Sequence, residues 1–132
     1  MSWHFEMYRM RGNTSTIACM LAGLALTALT GCHSAFVDAR VTNDSGQPVT
    51  LVEVDYPSAS FGKDVLAAGA KYDYHFEIIG SGATKLLWTD ADHHDHTLAG
   101  PNLKEGDHGT LLAVIQPHGR ATLTYTPAAA SK

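Results

Sequence analysis

One short segment of the chain combines residue types that suggest metal chemistry. It runs through Asp90-Ala91-Asp92-His93-His94-Asp95-His96. Imidazole and carboxylate groups together favour a borderline metal such as zinc, nickel or copper. On an extended strand alternate residues share a face, so Asp92, His94 and His96 would present three ligands and leave a coordination position open. His108 or His118 would then supply a fourth ligand from another loop.

The same segment is also typical of a polar hairpin turn, between a strand that ends near Thr89 and one around residues 97–99. Aspartate and histidine suit such a turn, and nothing in the sequence identifies the outer groups that orient metal ligands. We therefore expect no cofactor, with zinc or copper bound through Asp92, His94 and His96 as the alternative. The sequence that starts at Asp90 does not match an EF-hand calcium loop, because Asp95 stands at the position where that loop needs glycine.

The region after residue 31 contains seven histidines, which suggests a second hypothesis. They are His33, His75, His93, His94, His96, His108 and His118. If all titrate near the ordinary histidine pKa of about 6.5, the net charge of residues 32–132 changes from −5 to +2 on acidification. The alternative, which we favour, is that they are solvated surface residues.

No familiar catalytic motif occurs in the sequence. It contains no G-x-S-x-G elbow, H-E-x-x-H pair, phosphate-binding loop or dinucleotide fingerprint. Ser81 lies between two glycines, as a nucleophilic serine can, but we expect a flexible turn there. Glu53 and Asp55 are typical of a solvated strand face. We therefore expect a protein that is not an enzyme.

The N-terminal region has the layout of an export signal. Arg9 and Arg11 precede a polar step and an apolar run of 13 residues, Ile17 to Leu29. A helix that spans a bilayer needs roughly 20 residues, so this run is too short for a permanent span. A basic start, a short apolar core and small residues are typical of a cleaved signal peptide. Translation from Met7 instead of Met1 would give a leader without the acidic residue Glu6.

The apolar run ends at Leu29, and the residues Leu29-Thr30-Gly31-Cys32 resemble the lipobox of bacterial lipoproteins. The resemblance implies that Cys32 receives a diacylglycerol and that signal peptidase II cleaves before it. Leu29, Thr30 and Gly31 would be the residues that the peptidase recognises. Since two or more acyl chains give lasting attachment, the partner of Cys32 would be a lipid bilayer.

The resemblance also implies a location in the cell envelope. In diderm bacteria an aspartate directly after the lipidated cysteine retains a lipoprotein at the inner membrane, and this chain has His33 there. We therefore expect the outer membrane, facing the periplasm. Because Cys19 lies in the leader and Cys32 carries the lipid, we expect neither a disulfide nor a free thiol.

Composition excludes several classes of protein. The chain has 132 residues, of which 45% are hydrophobic and 17% charged. Residues 32–132 hold seven Lys and Arg against twelve Asp and Glu. An acidic domain of this size is neither a multidomain enzyme nor a nucleic-acid binder.

Apolar residues after Cys32 recur with a period of two, which predicts strands. Val37, Ala39 and Val41 alternate with polar residues, as do Tyr72 to Ile78 and Ala121 to Tyr125. The stretches 86–88 and 111–115 are apolar on both faces and predict central strands. The sequence therefore predicts an all-β protein, a small antiparallel two-sheet β-sandwich of immunoglobulin-like or fibronectin-like type, with a small closed barrel as the alternative.

Clusters of turn-forming residues separate the predicted strands. They include 43–46, 68–69, 80–82, 100–102, 105–107 and 117–119. The region from Tyr56 to Phe61 predicts a long loop with a functional role.

The predicted organisation has four parts: a signal peptide (1–31), a lipidated N-terminus and short tether (32–35), a sandwich (36–126) and a frayed tail (127–132). Because the first strand starts four residues after Cys32, we expect the domain to lie close to the bilayer. Its expected role is that of a non-catalytic binding or envelope-structural module. The alternative is a metal-handling lipoprotein that uses the segment from Asp90 to His96.

Overall fold

Eight strands make up the regular structure of the protein. The computed structural model describes residues 35–129, and in that range it contains no helix. The strands are β1 (Phe36–Asn43), β2 (Val49–Tyr56), β3 (Ala59–Leu66), β4 (Lys71–Glu77), β5 (Gly82–Thr89), β6 (Asp95–Leu103), β7 (Gly109–Gln116) and β8 (Arg120–Pro127).

The alternation of apolar residues explains which side of each strand is buried. In β1, Val37, Ala39 and Val41 are buried, whereas Asp38 and Arg40 between them are exposed. Successive side chains of a strand point to opposite faces, so this pattern places one face of β1 in the core and the other in water. The strand predicted from these residues is confirmed.

The strands form two four-stranded sheets, with the orders β4-β1-β7-β8 and β3-β2-β5-β6. All neighbouring strands are antiparallel except β1 and β7, which are parallel. The all-β, two-sheet sandwich is confirmed. The strand order differs from that of an immunoglobulin constant-type domain. Such a domain has its first, second, fifth and fourth strands in one sheet, whereas here β1 pairs with β4 and β7.

The core lies between the two sheets and draws on both. Its buried apolar residues are Val37, Ala39, Val41, Val49, Val52, Val54, Phe61, Leu66, Phe76, Ile78, Leu86, Trp88, Leu103, Leu111, Ala113, Ile115 and Leu123. Among residues 35–129 only Asn43 and Thr84 are buried polar residues, and every buried side-chain nitrogen or oxygen has a hydrogen-bond partner. The described region therefore contains a complete core without an unsatisfied polar group.

The two stretches that are apolar on both faces lie in β5 and β7, which are interior strands of their sheets. Their predicted central position is confirmed. Leu112 on the outer face of β7 is nevertheless 41% exposed. The outer face of an antiparallel sandwich meets solvent, so an apolar residue there is not covered by another layer.

Two of the predicted loops are wrong. The long loop from Tyr56 to Phe61 is a tight hairpin, in which Tyr56 pairs with Ala59 across the two residues Pro57 and Ser58. The predicted turn at residues 100–102 lies inside β6. Because β6 is an edge strand with an irregular register beside Ala83, it tolerates a proline that donates no ladder hydrogen bond.

The sandwich has two ends, the Phe36 end and the Asp90 end. At the Phe36 end, β1 and β7 begin and β4 and β8 finish, since Phe36 pairs with Glu77 and Gly109 with Pro127. At the Asp90 end lie the turns that join β1 to β2, β3 to β4, β5 to β6 and β7 to β8. β8 reaches Pro127, one residue further than predicted.

The predicted signal peptide and the motif Leu29-Thr30-Gly31-Cys32 lie outside the described residues, as does His33. Within residues 35–129 no helix has the length and apolar character to cross a bilayer.

Candidate functional site

The turn between β5 and β6 is organised by the side chain of Asp90. Its Oδ1 accepts hydrogen bonds from the backbone N–H groups of Asp92 and His94, at 2.9 and 3.0 Å. The N–H of Asp90 donates to the carbonyl of His94 at 2.9 Å, and that of His93 donates to the carbonyl of Asp90 at 3.0 Å. An aspartate that bonds the backbone two residues ahead is a common way to close a turn.

The second carboxylate oxygen of Asp90 fixes His96. The distance from Asp90 Oδ2 to His96 Nε2 is 2.7 Å, and both side chains are about three-quarters buried. The His96 ring also stacks on Trp88, its neighbour across the two strands, with 5.0 Å between the ring centres and 19° between the planes. His96 is therefore held by a hydrogen bond at its edge and by an aromatic ring at its face.

The other neighbour of the His96 ring is the turn between β7 and β8. A Cβ added at Gly119 would overlap His96 Cε1 and lie 2.9 Å from Nδ1, so only glycine allows the backbone to approach so closely. Gly119 also has φ +66°, in the left-handed region that glycine adopts without strain. The ring thus links two turns of the Asp90 end.

The hydrogen bonds to Asp90 favour its ionised form. The bond to His96 contributes most and the N–H of His94 comes next, and together these lower the pKa of Asp90 from 3.8 to about 2. The carboxylate is therefore charged at all physiological pH values, with both oxygens already in use.

Three potential metal ligands meet in this turn. Asp90, Asp92 and His94 each offer an atom that lies within 4.8 Å of the other two. Carboxylate oxygens and imidazole nitrogens are donors that divalent cations such as zinc and copper accept.

This set differs from the predicted one, Asp92, His94 and His96. Asp92 and His94 lie in the turn instead of on a strand, because β6 begins only at Asp95. Asp90 replaces His96 in the group, and His96 uses its Nε2 to contact Asp90. Sequence reasoning missed Asp90, although an aspartate at the first position of a turn is the available signal.

A cavity of about 440 Å³ lies beside these residues at the Asp90 end. The turns that join β1 to β2, β5 to β6 and β7 to β8 all line it, through residues that include Gln47, Asp92, His94, Gln116 and His118. Carboxylates, amides and imidazoles on one open cavity can hold a cation or a ligand with several hydrogen-bond donors.

The remaining histidines fall in different places. His118 lines the cavity, whereas His108 lies at the Phe36 end, where its carbonyl accepts hydrogen bonds from Tyr125 and Ala128. His108 is therefore excluded as a fourth ligand at the Asp90 end. His75 is exposed, as predicted, with Nδ1 2.6 Å from Asp38 Oδ1 and its ring stacked on Phe36.

The turn between β1 and β2 is positioned by Asn43, which is completely buried. Its Nδ2 donates to the carbonyls of Gln47, Leu66 and Ala67, at 2.7, 2.9 and 3.2 Å. Its Oδ1 accepts from the N–H and the hydroxyl of Ser45. Asn43 thus joins two turns that are distant in the sequence, and we predicted only a turn residue there.

No protein-family model matches this chain, and neither the curated proteins nor the solved structures contain a match.

Proposed function

We propose that the chain is the precursor of a membrane-anchored extracytoplasmic lipoprotein whose β-sandwich is a non-catalytic binding or envelope-structural module. The observation that carries the proposal is the position of Leu29-Thr30-Gly31-Cys32, at the end of a short apolar run and with only three residues between Cys32 and β1. Cleavage before Cys32 would remove none of the core residues, which lie between Val37 and Leu123. Lipid on Cys32 would therefore anchor an intact domain.

The test is to compare two cysteine variants in a bacterial host supplied with labelled palmitate. Cys32→Ser is expected to abolish labelling and to leave the leader attached, because serine offers no thiol to the diacylglycerol transferase. Cys19→Ser is the matched control, since this cysteine lies inside the leader, and it is expected to be labelled and cleaved normally. Equal labelling and cleavage of Cys32→Ser and the unaltered protein would refute the proposal.

A second function is favoured by the cluster of Asp90, Asp92 and His94. We propose as the alternative that the lipoprotein handles zinc or copper at the turn between β5 and β6. The ligand atoms of these residues lie within 4.8 Å of one another, which places all three within reach of a single cation.

Calorimetric titration of residues 34–132 with zinc or copper tests this alternative. The fragment is suitable because it contains the whole described core. Micromolar or tighter binding is expected, and the double variant Asp92→Ala, His94→Ala should lose it. His93→Ala, a neighbouring exposed histidine outside the cluster, should retain it. Absence of binding in the unaltered fragment, or equal binding by the double variant, would refute the proposed metal-handling function.

A further inference from the structure

The chain enters the sandwich at the Phe36 end. Only three residues separate Cys32 from Phe36. An extended chain spans at most about 3.3–3.6 Å per residue, so the start of β1 lies within about 14 Å of the Cys32 backbone. If Cys32 carries lipid, the Phe36 end is held near the headgroups of the bilayer.

The Phe36 end presents an apolar side chain that the core does not cover. Ile79, in the connection from β4 to β5, is 65% exposed, although its neighbour Ile78 is fully buried. The following residue, Gly80, has φ +83° and donates its N–H to Glu105 Oε2 at 3.3 Å. This bond ties the connection, in which Ile79 is exposed, to the turn between β6 and β7.

The candidate site lies at the opposite end of the same strands. Strands of eight residues, with a rise of about 3.3 Å per residue, separate the two ends by roughly 25 Å. A surface that contacts the Phe36 end therefore leaves the cavity beside Asp90 unobstructed.

We propose that the Phe36 end docks on the bilayer that holds Cys32, with Ile79 as its apolar contact, so that the Asp90 end faces the aqueous phase. This inference rests on the proposed lipid anchor. It adds an orientation to the anchor and assigns the cavity to a water-soluble ligand. The surfaces that would compete as contacts are the outer sheet faces, where Leu51, Val65 and Leu112 are exposed.

The test uses single cysteines in the full-length, lipidated protein. Since residues 32–132 contain no cysteine besides Cys32, whose thiol the proposed lipid would occupy, each engineered thiol is labelled alone. Exposed positions are Ser81 at the Phe36 end, Ala68 at the Asp90 end, and Thr97 and Thr124 on the two outer faces. Each labelled variant is reconstituted into phosphatidylcholine vesicles that contain a lipid with a quencher on its headgroup.

Flotation of the vesicles first establishes anchoring. Among proteins that float, the label of Ser81→Cys is expected to be quenched severalfold more than that of Ala68→Cys, with the labels at Thr97 and Thr124 between them. Equal quenching at all sites, or strongest quenching on a sheet face, overturns the orientation and leaves the anchor intact. Failure to float overturns the anchor and the orientation with it.

A second variant tests the apolar contact. Adding Ile79→Ser to the Ser81→Cys protein removes an exposed side chain, so the fold should persist and the acyl chains should still give full flotation. Quenching of the Ser81 label is expected to fall severalfold. Unchanged quenching would show that Ile79 is not the contact with the bilayer.

Discussion

At the scale of single residues, Asp90 makes the stability of the Asp90 end depend on pH. Its pKa in the folded protein is about 2, below the ordinary value of 3.8, so its ionised form stabilises the fold at higher pH. This contribution is fully present above pH 3.8 and is lost as the pH falls towards 2. In metal-free protein, Asp90→Asn should lower the melting temperature at neutral pH and flatten its decline over this acid range.

Thermal melts at a series of pH values in the presence of EDTA measure this effect. Asp92→Asn is the control, because it removes a carboxylate of the same turn but leaves the bonds of Asp90 in place. Parallel pH profiles for Asp90→Asn and the unaltered protein would contradict the role given to Asp90.

Asn43 is the second residue with a clear individual effect. Asn43→Ala should lower the free energy of unfolding by about 1–3 kcal/mol, because it removes the side-chain donor to the buried carbonyl of Leu66. Asp44→Ala changes the exposed neighbour and should stay within about 0.5 kcal/mol. Urea unfolding of both variants measures the difference, and equal effects would contradict the account of Asn43.

The candidate site could be predicted only in part. The density of aspartate and histidine identified the segment, and Asp92 and His94 do lie together. His96, the predicted third ligand, was wrong. Asp90 takes its place because its carboxylate accepts hydrogen bonds from the N–H groups of Asp92 and His94 and closes a turn. Such a bond depends on the turn conformation, which the alternation of residue types does not reveal.

At the scale of elements, the contact between two turns depends on Gly119. Gly119→Ala would strain a backbone at φ +66° and force the His96 ring to move. Gly46→Ala is the matched control: its φ is +83°, but no atom lies within 4 Å of the added Cβ. In both variants the strained backbone should lower the free energy of unfolding by about 1 kcal/mol. In Gly119→Ala the decrease should be larger, because the added Cβ also displaces the His96 ring.

Fluorescence of Trp88, the sole tryptophan of residues 34–132, reports on the His96 ring that stacks on it. Its emission should change in Gly119→Ala and stay constant in Gly46→Ala. Identical spectra and equal stabilities of the two variants would argue against the proposed contact.

The bulge in β2 contains a strained leucine. The register of β2 against β5 shifts between Thr50 and Glu53, and Leu51 in this interval has φ +50° and is 66% exposed. Leu51→Gly should therefore raise the free energy of unfolding by up to about 1 kcal/mol. Leu112→Gly, at an exposed strand leucine without positive φ, should lower it. Chemical denaturation measures both, and destabilisation by both would contradict the assignment of strain to Leu51.

Strands were easier to predict than the segments between them. The alternation in β1 identifies both the element and its buried face, because a period of two is a local property of the sequence. The hairpin at Pro57 and the proline in β6 were not predictable in this way. Both depend on which strand lies alongside, and a proline cluster has the same composition in a loop and on a sheet edge.

At the scale of the whole molecule, the class of fold was predictable and the strand order was not. Alternation shows which face of a strand is buried but not which strand is its neighbour. β1 pairs with β4 and, in parallel, with β7, and both lie far along the chain. The cluster of Asn43, Leu66 and Ala67 is a consequence of this order, so it could not be expected from turn residues alone.

The proposed function requires that Cys32 becomes the lipid-bearing first residue of a tethered sandwich. Mass spectrometry of the N-terminal peptide, from protein purified out of membranes, tests it most directly. We expect a peptide that begins at Cys32 and carries the added mass of a diacylglycerol, with or without an N-acyl chain. A peptide that begins at Met1 or Met7, or one that begins at an unmodified Cys32, would contradict it.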